Sequence, residues 1–281
     1  VAFAFRTGLF NIGVEGQLLM GWLAAAWVGY AVDLPRIIHL PLALLAAAAA
    51  GAFWAFLVGY LKARFNVHEV ISSIMLNYTA LFVMNAIIKQ ITDGGYKTET
   101  VAPSATLRWQ WLREFTDNSS MHLGIIVALL MVVVMWFLLE RTTRGYELKA
   151  VGFNQNAAEY AGMSVKKNII LAMTISGVFA GLAGAMEALG TYQNVSIKAG
   201  MSGIGFDGIA VALLGANTPL GVVFGASLFG SLKYGALNMP NEAGIPEEIV
   251  SIIIALIIFF VASGYIIRVV LEKMSKKKEA K

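Results

Sequence analysis

Long apolar runs recur along this chain, and they limit its possible folds more than any other feature. A helix that crosses the hydrocarbon core of a bilayer needs about 20 predominantly apolar residues. Runs of about this length lie at 14–32, 37–61, 70–91, 124–139, 169–186, 220–237 and 249–267. Only 14% of the residues are charged, against about 25% in a soluble domain. We therefore expect an all-α, polytopic transmembrane helical bundle.

The distribution of basic residues predicts the orientation, because cytoplasmic loops are enriched in Lys and Arg. Residues 62–69, 140–168 and 268–281 hold 13 of the 21 basic residues, so we place these loops and the basic C-terminal tail in the cytoplasm. Residues 92–121 hold more acidic than basic side chains and are expected to form an external loop. Because the chain starts inside an apolar segment, we expect a single transmembrane domain over 1–281 that is truncated at its N-terminus.

Two stretches interrupt the apolar pattern, and we interpret both as broken helices. Residues 6–17 mix glycines with polar side chains. Residues 200–218 are also Gly-rich, and 203–217 must cross or nearly cross the membrane alone if the flanking spans keep their orientation. Such short segments are tolerated where they are buried in protein or line a cavity. We expect Pro219 to begin the following helix after a tight turn.

Several classes of site are excluded or disfavoured by the residues present. The chain has no cysteine, which excludes disulfides and thiolate metal sites, and we predict no metal and no cofactor. Residues 203–208 match GxGxxG but lie in a membrane segment rather than after a strand, so no dinucleotide fold is expected. No Gly-Lys dipeptide occurs, so the chain holds no P-loop.

Polar side chains within or near the apolar runs are candidates for a substrate pathway, since a charge at the bilayer centre costs about 2.5–3.5 kcal/mol on insertion scales. The candidates are Asn11, Glu15, Gln17, Ser73, Asn77, Asn85, Glu187 and Asp207. Glu15 and Asp207 are flanked by glycines, and for these two acids we favour a role facing the substrate. For Asn77 and Asn85, hydrogen bonding between packed helices is an equal alternative, and Glu187 is equally consistent with a marker of the outer interface.

The cytoplasmic loop 140–168 is long enough to contain a short helix. Asn154 can cap it, Ala157 and Ala158 favour helix, and Gly162 can end it. Its apolar residues predict a helix that docks in a groove of another protein.

This loop resembles the coupling loop of ABC importer permeases. In that group the core is Glu-Ala-Ala-x3-Gly, and here it is Asn156-Ala157-Ala158-x3-Gly162, with Asn in place of Glu. The run from Arg144 to Gly162 is similar to the branched-chain amino acid, ribose and nucleoside permeases of the group. FRTGLFNIGVEGQLLMG (5–21), HEVISSIMLNY (68–78) and GFDGIAVALLGANTPLGV (205–222) resemble the nucleoside permeases, which work with a lipoprotein receptor.

The resemblance implies a permease subunit that has no catalytic residues, in the plasma membrane of a bacterium, with ATP hydrolysis on a separate chain. It implies two ATPases, a substrate-binding lipoprotein outside, and a second permease that is either another copy or a different chain. The residues expected to couple to the ATPase are Arg144, Asn154, Asn156, Ala157, Ala158, Glu159, Tyr160 and Gly162.

Three alternatives remain at this point. The first is a sugar or branched-chain amino acid permease of the same family. The second is a secondary transporter driven by an ion gradient, in which Glu15 and Asp207 would couple to protons or sodium. The third is an intramembrane enzyme, which the chain disfavours because it offers no set of nucleophile and base.

Overall fold

The computed structural model describes residues 1–116, 119–244, 246 and 248–263. In this part of the chain we distinguish twelve α-helices: α1 (Ala2–Arg6), α2 (Val14–Ala31), α3 (Arg36–Phe65), α4 (Glu69–Ile91), α5 (Gln110–Phe115), α6 (Gly124–Arg141), α7 (Thr143–Phe153), α8 (Gln155–Tyr160), α9 (Val165–Met186), α10 (Ile204–Leu214), α11 (Pro219–Ala243) and α12 (Glu248–Ala262). A π-helical turn, Glu187–Thr191, extends α9. The predicted tail 268–281 lies outside the described residues.

The helical membrane bundle predicted from the sequence is confirmed. Over the residues that the structure describes, each apolar run coincides with one helix, and α10 occupies the predicted short segment. Among the described residues, five helices are long and apolar enough to cross a membrane, and α10 and α12 are shorter apolar helices. The chain is therefore a multi-pass membrane protein.

Helix α2 is not among those five, although its apolar run is one that we expected to span. It packs against α3, α4 and α9, and Leu18, Leu19 and Trp22 are buried along it. A helix enclosed by other helices has little surface facing lipid, so it tolerates the polar side chains that lower its hydropathy.

Helices α3 and α9 form the most extensive helix pair of the bundle. A Cβ atom on Gly51 would lie 2.3 Å from the carbonyl oxygen of Gly177, and one on Gly181 would lie 2.1 Å from that of Ala47. The backbones of the two helices therefore touch, which small residues allow.

The described chain forms two compact units that divide after Phe206, within α10. In the second unit, Val211, Phe229 and Ile254 belong to a small apolar cluster. The Thr218 hydroxyl accepts from the backbone N–H of Gly221 at 3.1 Å, and α11 starts at Pro219. The predicted turn and helix start are confirmed.

Candidate functional site

The non-helical residues 7–13 between α1 and α2 form a break whose polar side chains bond to one another. The Asn11 amide donates to Gln17 Oε1 at 3.0 Å and to Ser176 Oγ at 2.9 Å. The Gln17 amide donates back to Asn11 Oδ1 at 3.1 Å, and the Gly13 N–H donates to the same oxygen at 3.0 Å. These side chains are fully buried, so their hydrogen bonds are made inside the protein, as burial requires.

Asn77 on α4 holds the other side of the break. Its Oδ1 accepts from the Gly16 N–H at 2.8 Å, and its Nδ2 donates to the Ile12 carbonyl at 3.0 Å. Asn77 thus supplies partners to backbone groups that a helix start leaves unpaired. Ser73, one turn earlier on the same helix face, is buried, and its hydroxyl has no hydrogen-bond partner among the described residues.

Glu15 is fully buried and accepts three hydrogen bonds at the start of α10. Its Oε1 accepts from the Ser202 hydroxyl at 2.6 Å and from the Gly203 N–H at 2.9 Å. Its Oε2 accepts from the Gly205 N–H at 2.6 Å. A carboxylate is stabilising at a helix N-terminus because the N–H groups there are unpaired and carry partial positive charge. Glu15 therefore caps a helix that begins nearly 190 positions later.

Asn85 holds the extended segment 192–203, which leads into α10. Its Nδ2 donates to the Lys198 carbonyl at 2.8 Å, and its Oδ1 accepts from the Lys198 N–H at 3.0 Å. The segment is also bonded to the loop 92–121, since the Thr98 N–H donates to the Val195 carbonyl at 2.9 Å. This non-helical backbone lies among membrane helices, and its polar groups are hydrogen-bonded within the protein. Non-helical backbone is tolerated there only when its polar groups are satisfied in this way.

Glu187 starts the π-helical turn and is partly exposed. Close to it, the ring of Tyr192 stacks on Trp22 at 5.2 Å, and the Lys198 ammonium lies 4.3 Å from the centre of the Trp22 ring. These three residues were not among the candidates predicted from the sequence. Lys198 could have been noticed, because it is a charged residue between two apolar segments.

Asp207 belongs to the second unit, where it forms an ion pair with Lys233 of α11. This partner was not predicted from the sequence. The signal was available, since Lys233 is a charge within an otherwise apolar run and intramembrane charges are usually paired.

The loop 140–168 contains two helices rather than the single one expected. Helix α7 follows α6 directly, and α8 forms at the predicted place. Asn154 Oδ1 accepts from the Ala157 N–H at 3.0 Å, and Gly162 has a φ of +81° where α8 ends, so the predicted cap and stop are confirmed. Tyr160 is 95% exposed and Phe153 is 90% exposed.

The other predicted coupling residues lie on or beside these two helices. Arg144 on α7 forms an ion pair with Glu147 at 2.9 Å. On α8, Ala158 is buried, while Asn156, Ala157 and Glu159 are exposed.

A comparison with known protein families identifies the family of this chain. Residues 1–262 match the family described as "Branched-chain amino acid transport system / permease component". The chain belongs to this permease family. It is therefore a transport subunit rather than an enzyme.

The names of individual relatives specify different substrates. The chain is 63% identical to the guanosine ABC transporter permease protein NupP of Bacillus subtilis, covering 99% of this chain and 80% of the relative. It is 42% identical to the nucleoside ABC transporter permease protein NupB of Lactococcus lactis, covering 97% and 77%. It is 36% identical to the glucose ABC transporter permease protein TsgB13 of Haloferax volcanii, covering 92% and 70%. No solved structure matches the chain.

In this permease, residues 7–13 also touch α7. A Cβ atom on Gly8 would lie 2.5 Å from Gly152 Cα, and one on Gly152 would lie 2.5 Å from the carbonyl carbon of Thr7. Nearby, Glu140 forms ion pairs with Arg6 at 3.0 Å and with Lys149 at 2.8 Å. The break between α1 and α2 is therefore in direct contact with the helix that precedes α8.

Proposed function

We propose that this chain is the permease subunit of an ATP-driven nucleoside importer in a bacterial plasma membrane, with its C-terminus in the cytoplasm. The observation that carries the proposal is the 63% identity to a guanosine permease over 99% of the chain. Similarity to a second nucleoside permease supports the same substrate class. A glucose permease at 36% identity makes sugar import the second candidate.

The helix break and the start of α10 form the part of the pathway wall that this unit supplies. Asn11, Gln17 and Asn77 keep the break in one shape because they satisfy its backbone and each other. Glu15 then fixes segment 202–205 against this break. In this proposal these residues position the wall, and alternating access moves it largely as a rigid body.

The ATPase subunit docks on α7 and α8. The exposed aromatic rings of Phe153 and Tyr160 are suited to a groove in that partner. Motion of α8 passes to α7 across the single residue Asn154, and the contact between Gly152 and Gly8 passes it to the break. The coupling residues therefore act at a distance from the substrate.

A substrate-binding lipoprotein docks on the outside, where the loop 92–121 exposes Trp109 and Trp111. A second permease, either another copy or a different chain, completes the pathway.

The test is uptake of radiolabelled guanosine, adenosine, uridine and glucose in cells that lack this subunit, with or without the restored gene. Each strain is assayed with the active ATPase and with an ATPase that binds but does not hydrolyse ATP. We expect nucleoside uptake to require both the subunit and ATP hydrolysis, while glucose uptake is unchanged. Loss of glucose uptake alone would transfer the assignment to sugar import. Nucleoside uptake that needs this subunit but no ATPase would establish an ion-coupled transporter instead.

A further inference from the structure

Most of the residues first expected to contact the substrate already make hydrogen bonds within the protein, so polar groups without such bonds are the next candidates to bind it. Asn11, Gln17, Asn77 and Asn85 are bonded within the protein. Among the described residues, the Lys198 ammonium has no hydrogen bond and no ion pair. Instead it lies 4.3 Å from the centre of the Trp22 ring and 5.7 Å from that of Tyr192.

The two rings beside Lys198 differ in exposure. Trp22 is only 2% exposed, and its indole N–H donates to the Asn194 carbonyl at 2.9 Å. The Tyr192 ring stacks on it with centres 5.2 Å apart and planes 21° from parallel. Tyr192 is nevertheless 56% exposed. One face of its ring is therefore covered by a fixed indole, and the opposite face is open.

The charged group over the Trp22 ring is held in place. Asn85 bonds both backbone groups of Lys198, which fixes the base of its side chain. A tyrosine that only anchors a helix at the membrane surface does not require a lysine beside its ring that another helix fixes in place.

We propose that Tyr192 and Lys198, supported by Trp22, receive the base of the transported nucleoside. The base stacks on the open face of Tyr192, and the Lys198 ammonium donates to ring nitrogen or carbonyl acceptors at the edge of the base. A base stacks favourably on an aromatic side chain, and every base can do so because each one has a flat π-face. This inference rests on the proposed nucleoside substrate and adds the residues that recognise its base.

The test uses the whole reconstituted transporter with its receptor in excess, so that the maximal uptake rate reports on the permease. Guanosine and uridine uptake are measured for the wild type, Tyr192→Phe and Tyr192→Leu. Leucine has apolar bulk without a flat ring, so Tyr192→Leu should lower guanosine uptake about fivefold or more. Tyr192→Phe keeps the ring face and should transport within about twofold of the wild type. The ratio of guanosine to uridine uptake should fall in Tyr192→Leu, since a purine has the larger stacking surface.

Tyr60 provides the matched control. It is also a partly exposed tyrosine stacked on another ring, that of Phe56 at 5.8 Å. Tyr60→Leu should leave both the rate and the ratio unchanged. Lys198→Met should lower guanosine uptake, because the acceptors of the base lose their donor.

The outcomes separate this inference from the proposed function. Tyr192→Leu at the wild-type rate, or an equal loss of guanosine and uridine uptake, would overturn the stacking contact while nucleoside import stands. An equal loss of guanosine uptake in Tyr192→Phe and Tyr192→Leu would also overturn it. The hydroxyl is the only group that both variants lack, so the loss would then come from the hydroxyl and not from the ring face. If the wild-type transporter takes up no nucleoside, the proposed function fails first.

Discussion

At the scale of single residues, Glu15 shows how a buried carboxylate can be held by backbone N–H groups and a hydroxyl rather than by a cation. All three of its donors lie in residues 202–205. Gly205 is required there, because a Cβ atom would lie 2.6 Å from the Glu15 backbone nitrogen. Hence the two glycine-flanked stretches that the sequence marked as broken helices are in contact with each other.

We predict that Glu15→Ala lowers nucleoside uptake about tenfold or more, while the subunit still inserts in the membrane. The substitution leaves buried N–H groups at the start of α10 unpaired, which costs about 1–3 kcal/mol for each group. Uptake and the thermal unfolding midpoint of the purified complex should both fall. Asp33→Ala, which removes an exposed carboxylate between α2 and α3, should change neither. Wild-type uptake by Glu15→Ala would refute the role assigned to Glu15.

His122, in the loop before α6, should make stability depend on pH. Burial, with the positive charge of Arg108, lowers the pKa of His122 below its usual value of 6.5. Its Nδ1 accepts from the Gly124 N–H at 3.1 Å, which requires an unprotonated nitrogen. The neutral ring therefore stabilises the fold fully above about pH 6.5, and this contribution is lost as the pH falls through the folded-state pKa.

The corresponding measurement is the unfolding midpoint of the purified complex between about pH 7.5 and 5. His122→Gln should flatten the decline seen in the wild type, because glutamine does not titrate. His68→Gln removes an exposed imidazole and should leave the decline unchanged. Identical pH profiles for the wild type and His122→Gln would argue against this role.

At the scale of elements, the contact between α7 and residues 7–13 depends on two glycines with touching backbones. Most of the polar contacts of α7 are exposed ion pairs, which contribute little energy. The glycine contact is therefore a direct packed connection between the predicted docking surface and the break between α1 and α2.

We predict that Gly152→Ala uncouples the transporter. The added Cβ would lie 2.5 Å from the carbonyl carbon of Thr7, so α7 must move away from the break. ATP hydrolysis by the complete complex should persist within about twofold, while ATP-dependent uptake falls about fivefold or more. Gly230→Ala on α11 is the matched control, because its Cβ would meet nothing within 4 Å. Normal uptake by Gly152→Ala would show that this contact transmits no motion.

At the scale of the whole molecule, the orientation in the membrane is a prediction from charge, and single cysteines can test it because the chain has none of its own. Tyr96→Cys places a thiol at an 82% exposed position of the loop 92–121. Lys166→Cys places one at the exposed start of α9. A membrane-impermeant maleimide applied to intact cells should label the first variant and not the second. In inverted vesicles the labelling should reverse, and the opposite pattern in both preparations would invert the proposed topology.

The sequence by itself determined the long apolar helices, their order and the short helix α8 in the loop 140–168. These features depend on local signals: apolar runs of membrane length, the Asn154 cap, Gly162 at a positive φ and Pro219 at a helix start. Helix α7 was missed because its polar sequence lacks such a run. Local signals of this kind act within a few residues, so the features that depend on them can be predicted without knowledge of the tertiary structure.

Only the tertiary structure decided which polar groups meet. Asn11 bonds to Ser176, Asn85 to Lys198 and Glu15 to segment 202–205, and the partners lie 113 to 190 positions apart. The sequence marked these side chains as unusual but could not distinguish a group that faces a substrate from one that holds a backbone. That distinction depends on whether each hydrogen bond is satisfied within the protein, and only helix packing determines it.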